Sequence, residues 1–272
     1  MEYTTIAAKN AIPGLDALPT PKDLEEARSL DVVDQDGKEV KLGDLIAGKK
    51  AVLIFVRHWW CINCQTYVSH LSQAIPPENL PQGMTIIIIG PGGSVPIPTY
   101  IETTGSPYPI YGNPSLSLYR LFGFKSNLAG SKKGEEKEYE KALGGLVVRT
   151  WSALKKGPFR HLEHASQVGP KDQNGGEMVL EADGSCIFMH RMQHSADHTE
   201  IAELAETLGI QPLPISDGRS KQSSRDSSRK SSVDGRGTSR VGTPSNLTTA
   251  TGSVATGAHQ QGTTEAQSAA AP

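Results

Sequence analysis

The run Ala51-Val52-Leu53-Ile54-Phe55-Val56-Arg57-His58-Trp59-Trp60-Cys61-Ile62-Asn63-Cys64 fixes the fold class of this chain. Its first six residues are unbroken apolar sequence rich in branched side chains, as expected of a strand covered on both faces. Beyond Cys64, the apolar residues Tyr67, Val68, Leu71, Ala74 and Ile75 recur at helical steps until Pro76-Pro77 ends the run. Two thiols therefore stand at a strand-to-helix turn, where the unpaired amides and dipole of a helix N-terminus favour thiolate. Two intervening residues let one sulfur attack while the second resolves a sulfenic acid or mixed disulfide. The pair reads as a redox centre. A packed pair of thiols and half of a zinc site are the alternatives, and no second Cys-x-x-Cys exists to complete the latter.

Outward from this turn the pattern is α/β, a central mixed sheet flanked by helices. Upstream, Glu25 to Ser29 reads as a short helix. Asp31 to Asp34, Gln35-Asp36-Gly37-Lys38, then Val40 and Leu42 read as a hairpin, because Asp-Gly tolerates the positive φ of a tight turn. Downstream, Thr85 to Ile89 is a second buried strand closed by Gly90-Pro91-Gly92-Gly93, with a helix near Thr99 to Thr104 and a strand at Tyr108 to Tyr111. In Asn113-Pro114-Ser115 a cap residue precedes a proline suited to the first turn of a helix that carries Leu118, Leu121 and Phe122 and stops at Gly123. Leu143, Val147, Trp151 and Leu154 share one helical stripe inside an insertion at about 125–170. A second hairpin joins Glu177–Glu181 to Cys186–Met189 through Asp183-Gly184. Asp197 and Glu200 read as a capping box before Ile201, Leu204, Ala205 and Leu208, with Gly209 closing that helix.

The expected organisation is an N-terminal arm over 1–27, one domain over 28–212, and a Ser/Thr/Gly-rich tail over 213–272 too poor in large apolar residues to form a core. Arg225, Arg229, Lys230, Arg236 and Arg240 alternate there with serines such as Ser227 and Ser231, a layout open to a basophilic kinase or to weak anion contacts, with plain solvated linker the reading that composition favours. With 27 basic and 29 acidic side chains and a net charge of -2, there is no electrostatic case for nucleic acid as a partner. No apolar run approaches the roughly 20 residues of a membrane span, and Met1-Glu2-Tyr3-Thr4-Thr5 lacks the basic start of a signal peptide. Three cysteines, two of them three apart, suit a reducing compartment, so the expected location is cytoplasmic or nuclear.

Around the pair, His58 and Trp60 are candidates to tune or shield the thiols, though packed residues would look the same. Cys186, in the apolar stretch Cys186-Ile187-Phe188-Met189, reads as a packed thiol and a distant candidate resolver. His190, His194 and His198 are spaced four apart, but the first ends a strand and the last opens a helix, so no metal site is expected.

The order of strand, cysteine turn, helix, late hairpin and terminal helix resembles the thioredoxin superfamily. Val56 through Cys64, Tyr111-Gly112-Asn113-Pro114, Leu118 through Gly123, and Gly175 through Leu180 running into His190-Arg191 resemble the peroxiredoxin-like 2 family of AhpC/TSA antioxidant domains, over about residues 30–210. The resemblance implies a thioredoxin-like fold and a thiol-dependent antioxidant oxidoreductase that reduces peroxides or disulfides. It further implies re-reduction by an external thiol system, thioredoxin or glutathione, with no cofactor and no metal. Laid on the Pro-x-x-x-Thr-x-x-Cys pattern of peroxiredoxins proper, Cys64 takes the peroxide-attacking place, Arg57 that of the proline and Cys61 that of the threonine. The activating arginine of that family falls at Gly175, so its role passes to Arg57, Arg149 or Arg191. Thioredoxins attack instead with the first cysteine and carry a proline where this chain has Asn174-Gly175-Gly176. The candidate catalytic set is Cys64, Cys61 and Arg57, with His58, Trp60, Arg149 and Arg191 in support. The competing readings are a thioredoxin-like disulfide reductase without peroxidase activity and a non-catalytic redox-sensing module.

Overall fold

A computed structural model of the chain describes residues 16–130, 137–141 and 162–215. The elements run α1 Pro21–Ser29, β1 Asp31–Val33, β2 Glu39–Lys41, α2 Leu42–Ile46, β3 Lys50–Phe55, α3 Ile62–Ala74, β4 Met84–Gly90, α4 Ile97–Thr104, β5 Ile110–Gly112, α5 Ser117–Leu121, α6 Glu138–Lys141, β6 Gly176–Leu180, β7 Cys186–Arg191 and α7 Ile201–Leu208. The seven strands form one mixed sheet in the order β2-β1-β5-β4-β3-β6-β7. β3 pairs parallel to β4 and antiparallel to β6, so the strand that leads into the cysteines is hydrogen-bonded along both edges.

Its alternating side chains feed two cores. Val52, Ile54 and Val56 pack with Ile86, Ile88, Val179 and the inner faces of α3, α4 and α7, and this core contains both Cys61 and Cys64. Ala51, Leu53 and Phe55 pack with Ile87, Ile89, Met178 and α1, α2 and α5. Burial on both faces is why β3 reads as continuous apolar sequence instead of an alternating one.

The hairpin at Asp36-Gly37, the strand at Thr85–Ile89, the second hairpin and the Gly209 stop all stand where the sequence places them, Gly37 and Gly209 at φ +81° and +70°. Several boundaries move. α1 begins at Pro21, four residues before Glu25, because Thr20 and Asp23 make a reciprocal capping box. α5 begins at Ser117, not at Pro114. Leu116 at φ +57° intervenes, and Asn113 reaches the helix from outside by accepting from the Leu118 amide at 3.1 Å. The capping box at Asp197 and Glu200 does not form. Glu200 caps α7 without a side-chain bond, while Asp197 accepts from the Gln193 amide at 2.7 Å and faces His190.

The domain continues slightly past residue 212: the Leu213 amide donates to the Ala74 carbonyl at 2.7 Å, and Ile215 packs against the core. The insertion helix through Leu143 to Leu154, Arg149 and the tail from Ser216 onward lie outside the described residues. Among the described residues no helix is long and apolar enough to cross a membrane.

Candidate active site

β3 delivers the chain to Arg57 just past its C-terminal end, and the four residues between there and α3 are strapped in place. The Trp59 amide donates to the Val168 carbonyl at 3.1 Å, its indole N–H to the Gly93 carbonyl at 3.1 Å, and the Cys61 amide to the His58 carbonyl at 3.0 Å. The indole lies over Gly90 and Gly92, where an added Cβ would come within 2.3 and 2.5 Å of its atoms. The glycine-rich end of β4 is thus the seat of the tryptophan that precedes the cysteines. From the other core, the Tyr119 hydroxyl bonds the Val56 carbonyl at 2.7 Å and the Ile89 carbonyl at 2.9 Å, tying the ends of β3 and β4 together.

Cys61 is the N-cap of α3 and Cys64 lies one turn inside it. Both thiols are free, Cys61 at 5% and Cys64 at 0% exposure. The Arg57 guanidinium points Nη1 at Cys61 Sγ, 3.7 Å away, while Nε donates to Asn174 Oδ1 and Nη2 to the Lys171 carbonyl, each at 3.0 Å. The Arg57 amide donates to Cys64 Sγ at 3.4 Å. These surroundings split the pair. A hydrogen bond from the Cys64 thiol pulls Cys61 well below the usual thiol range against the opposing effect of burial, helped by the charges of His58 and Arg57 and by the Cys64 amide. Burial, and after it the facing Cys61 sulfur, push Cys64 well above that range.

Behind Cys64 stands a chain of polar groups that the sequence reading did not assign. His198 Nε2 is 3.2 Å from Cys64 Sγ, and His198 Nδ1 is 2.5 Å from Glu177 Oε1. The second carboxylate oxygen of Glu177 accepts from the Thr199 amide at 3.1 Å and hydroxyl at 2.8 Å. His198 and Glu177 are fully buried, and the imidazole stacks on Tyr67 with ring centroids 4.3 Å apart and planes 7° from parallel. One signal for this was present in the sequence: Glu177 is the lone charge in the strand Gly176-Glu177-Met178-Val179-Leu180, and a buried carboxylate requires a partner.

Of the other candidates, His58 lies beside the pair; burial pushes its pKa down, and its buried Nδ1 has no hydrogen-bond partner among the described residues. Trp60 is half-buried against the cysteine-side core. Arg191 is not brought to the pair; its Nε donates to the Phe122 carbonyl at 2.6 Å and its Nη1 to the Ala17 carbonyl at 2.8 Å. Cys186 belongs to the other core, donates to the Phe188 carbonyl at 3.2 Å, and is pushed up to about 11 by burial. The three histidines part company. His190 faces Asp16 and Asp197, His194 accepts from the Ala196 amide at 3.3 Å, and His198 alone reaches a cysteine. Among the described residues, no group of three or more His, Cys, Asp or Glu side chains is placed to hold a metal ion.

A mixed sheet whose central strand ends in a helix-capping Cys-x-x-Cys defines a thioredoxin-fold protein with a two-cysteine thiol centre. The chain belongs to the peroxiredoxin-like 2 family of AhpC/TSA antioxidant proteins. Its residues 70–194 match the AhpC/TSA antioxidant enzyme family. It is 30% identical over 186 residues to Peroxiredoxin-like 2C of Mus musculus, covering 68% of this chain and 79% of that protein. It is 29% identical to Peroxiredoxin-like 2C of Homo sapiens, covering 67% and 78%. Among solved structures, the bacterioferritin comigratory protein of Xanthomonas campestris, described for alkyl peroxide reduction, is 14% identical over 71% of this chain and 93% of its own, with a TM-score of 0.44.

Proposed function

We propose that the chain is a thiol oxidoreductase that reduces peroxides or disulfides, with Cys61 as the attacking thiolate and Cys64 as the resolving thiol. The observation that carries this reading is the unequal setting of the two sulfurs. Cys61 sits at the helix N-cap under the Arg57 guanidinium, whereas Cys64 is sealed in the core. A nucleophile needs its charge early and a resolver needs it late, and the two environments differ in that sense. This order inverts the one implied by the peroxiredoxin pattern, which puts Cys64 in the attacking place. An external thiol, from a thioredoxin or glutathione system in a reducing compartment, then returns the disulfide to two thiols.

The test is rapid-mixing oxidation of the reduced protein by hydrogen peroxide, an alkyl hydroperoxide and a small disulfide, with Cys61→Ser and Cys64→Ser beside the wild type. Cys61→Ser abolishes the first step with every oxidant. Cys64→Ser keeps it and accumulates a sulfenic acid or mixed disulfide. The opposite pattern overturns the assignment. One observation favours disulfide over peroxide as the oxidant: two of the three nitrogens of Arg57 are already spent on Asn174 and Lys171, which leaves little of the guanidinium to polarise a peroxide. Peroxide oxidation no faster than that of a free thiol, beside fast disulfide exchange, decides for the reductase.

A further inference from the structure

A resolving thiol that begins protonated and fully buried must lose its proton within the protein. We propose that His198, held by Glu177, is the catalytic base for Cys64, accepting the thiol proton on Nε2 as Cys64 attacks the oxidised Cys61. The proposal rests on the reading of Cys61 as attacker and Cys64 as resolver.

Three features of the site support it. First, both oxygens of Glu177 have donors, Nδ1–H of His198 on one and the Thr199 amide and hydroxyl on the other. A carboxylate that accepts from Nδ1–H fixes the neutral imidazole as the tautomer whose Nε2 carries a lone pair, and that lone pair faces Cys64 Sγ at 3.2 Å. Second, the ring cannot swing away: it is clamped between the stacked Tyr67 and the edge of Tyr139, whose hydroxyl accepts from the His198 amide at 3.2 Å. Third, the arrangement is costly if it is only a latch. Glu177 lies in β6 between β3 and β7, where an apolar residue would fill the space without any desolvation cost.

The chemistry balances as follows. The Cys61 thiolate attacks a disulfide R–S–S–R, forming Cys61–S–S–R and releasing one R–S⁻. Cys64–SH gives its proton to Nε2, and its sulfur attacks Cys61 Sγ. The bond between Cys61 Sγ and the sulfur of the R–S group breaks, and the second R–S⁻ leaves. Two protein sulfurs have lost two electrons, and the substrate disulfide has become two thiolates. His198 returns the proton to the leaving thiolate or to solvent. With a peroxide the first product is Cys61–S–OH, and the same proton leaves with the displaced hydroxide as water.

The experiment uses the full chain in a Cys186→Ser background and the chromogenic disulfide dithiobis(nitrobenzoate) in single turnover. Attack by Cys61 releases the first nitrothiobenzoate and closure by Cys64 releases the second, so one absorbance trace reads both steps. His198→Gln is expected to leave the first release within about twofold and to slow the second by about 100-fold or more, the usual weight of a positioned base. Glu177→Gln, in the positioning role, slows the second release less. In both variants the deficit shrinks as pH rises, because hydroxide replaces the missing base, whereas a merely structural loss is the same at every pH. The groups facing the relay from its neighbours include Cys61 at the N-cap of α3, Tyr67 on α3, Tyr100 on α4, Tyr119 on α5, Tyr139 on α6, Arg57 after β3, His190 on β7 and Thr199, and all of them are retained in the variants. Should either variant fail to fold, the wild type carries the test. Its second release must slow in deuterium oxide more than its first, and equal slowing overturns the relay. A second release unchanged in His198→Gln, or a deficit confined to the first, overturns it as well. Loss of the order of attack shows separately, as a first release that survives in Cys61→Ser.

Discussion

At the scale of the single residue, Arg57 joins the fold to the chemistry. Its guanidinium spends Nε and Nη2 on Asn174 and the Lys171 carbonyl, and this fixes the direction in which Nη1 meets Cys61. Lysine cannot reproduce that fork, since an ammonium offers a point charge on a flexible stem. Arg57→Met removes the charge while keeping an apolar stem in a buried slot. The Cys61 thiol should then titrate higher, so the pH at which alkylation by iodoacetamide reaches half its plateau rate should move up, by about one unit for the loss of one neighbouring charge. A pH–rate profile of alkylation for the two proteins checks this, and superimposed profiles would remove Arg57 from the activation of Cys61. Gly175 stands where the resemblance puts the peroxiredoxin arginine, and a Cβ there would lie 1.8 Å from the Phe55 carbonyl oxygen, so that place has no room for a side chain.

At the scale of the element, the same contact makes the entrance to β6 a point of low tolerance. Phe55 pairs with Gly176 in the β3–β6 ladder, and the obstructing atom is backbone, which cannot rotate aside. Gly175→Ala should therefore cost more than about 2 kcal/mol in urea unfolding at unchanged m, the range of a substitution that forces backbone apart. A loss under half that size would mean the ladder gives way easily. This seam also marks the limit of what the sequence discloses. β3, β4, the hairpins and the Cys-x-x-Cys turn were legible because their signals are local: apolar runs, Asp-Gly turns and a spacing of three. Pro114 and Asp197 misled because a cap is chosen by geometry among several suitable neighbours: Asn113 reached α5 from outside, and Asp197 was claimed by the Gln193 amide and His190. Glu177 and His198 were legible only as a lone charge in a strand and one histidine of three. Cys64 and His198 are 134 residues apart, and they meet because β6 lies against β3 and the segment after β7 returns over α3.

At the scale of the whole molecule, the far end of β7 holds a second charged cluster that ties the two ends of the domain together. His190 lies between Asp16 of the N-terminal segment, at 3.4 Å, and Asp197 ahead of α7, at 3.6 Å, and also bonds the Asp197 carbonyl at 2.6 Å. The Ala17 carbonyl beside Asp16 accepts from Arg191, so the arm is held at two consecutive residues. Burial alone would lower the pKa of His190, but the carboxylates of Asp16 and Asp197, with the charge of Glu177 behind them, raise it to about 10. Because the folded value lies above the unfolded value of about 6.5, the protonated ring stabilises the fold fully below that pH, and the contribution falls away as pH rises toward 10. His190→Gln should thus lose most stability relative to wild type near pH 6, with the two proteins converging as pH approaches 10. Urea unfolding of both across that interval reads the difference directly, and cysteine ionisation, common to the pair, cancels in the comparison. A gap that stays constant with pH would mean that His190 holds the arm by its shape and neutral hydrogen bond rather than by its charge.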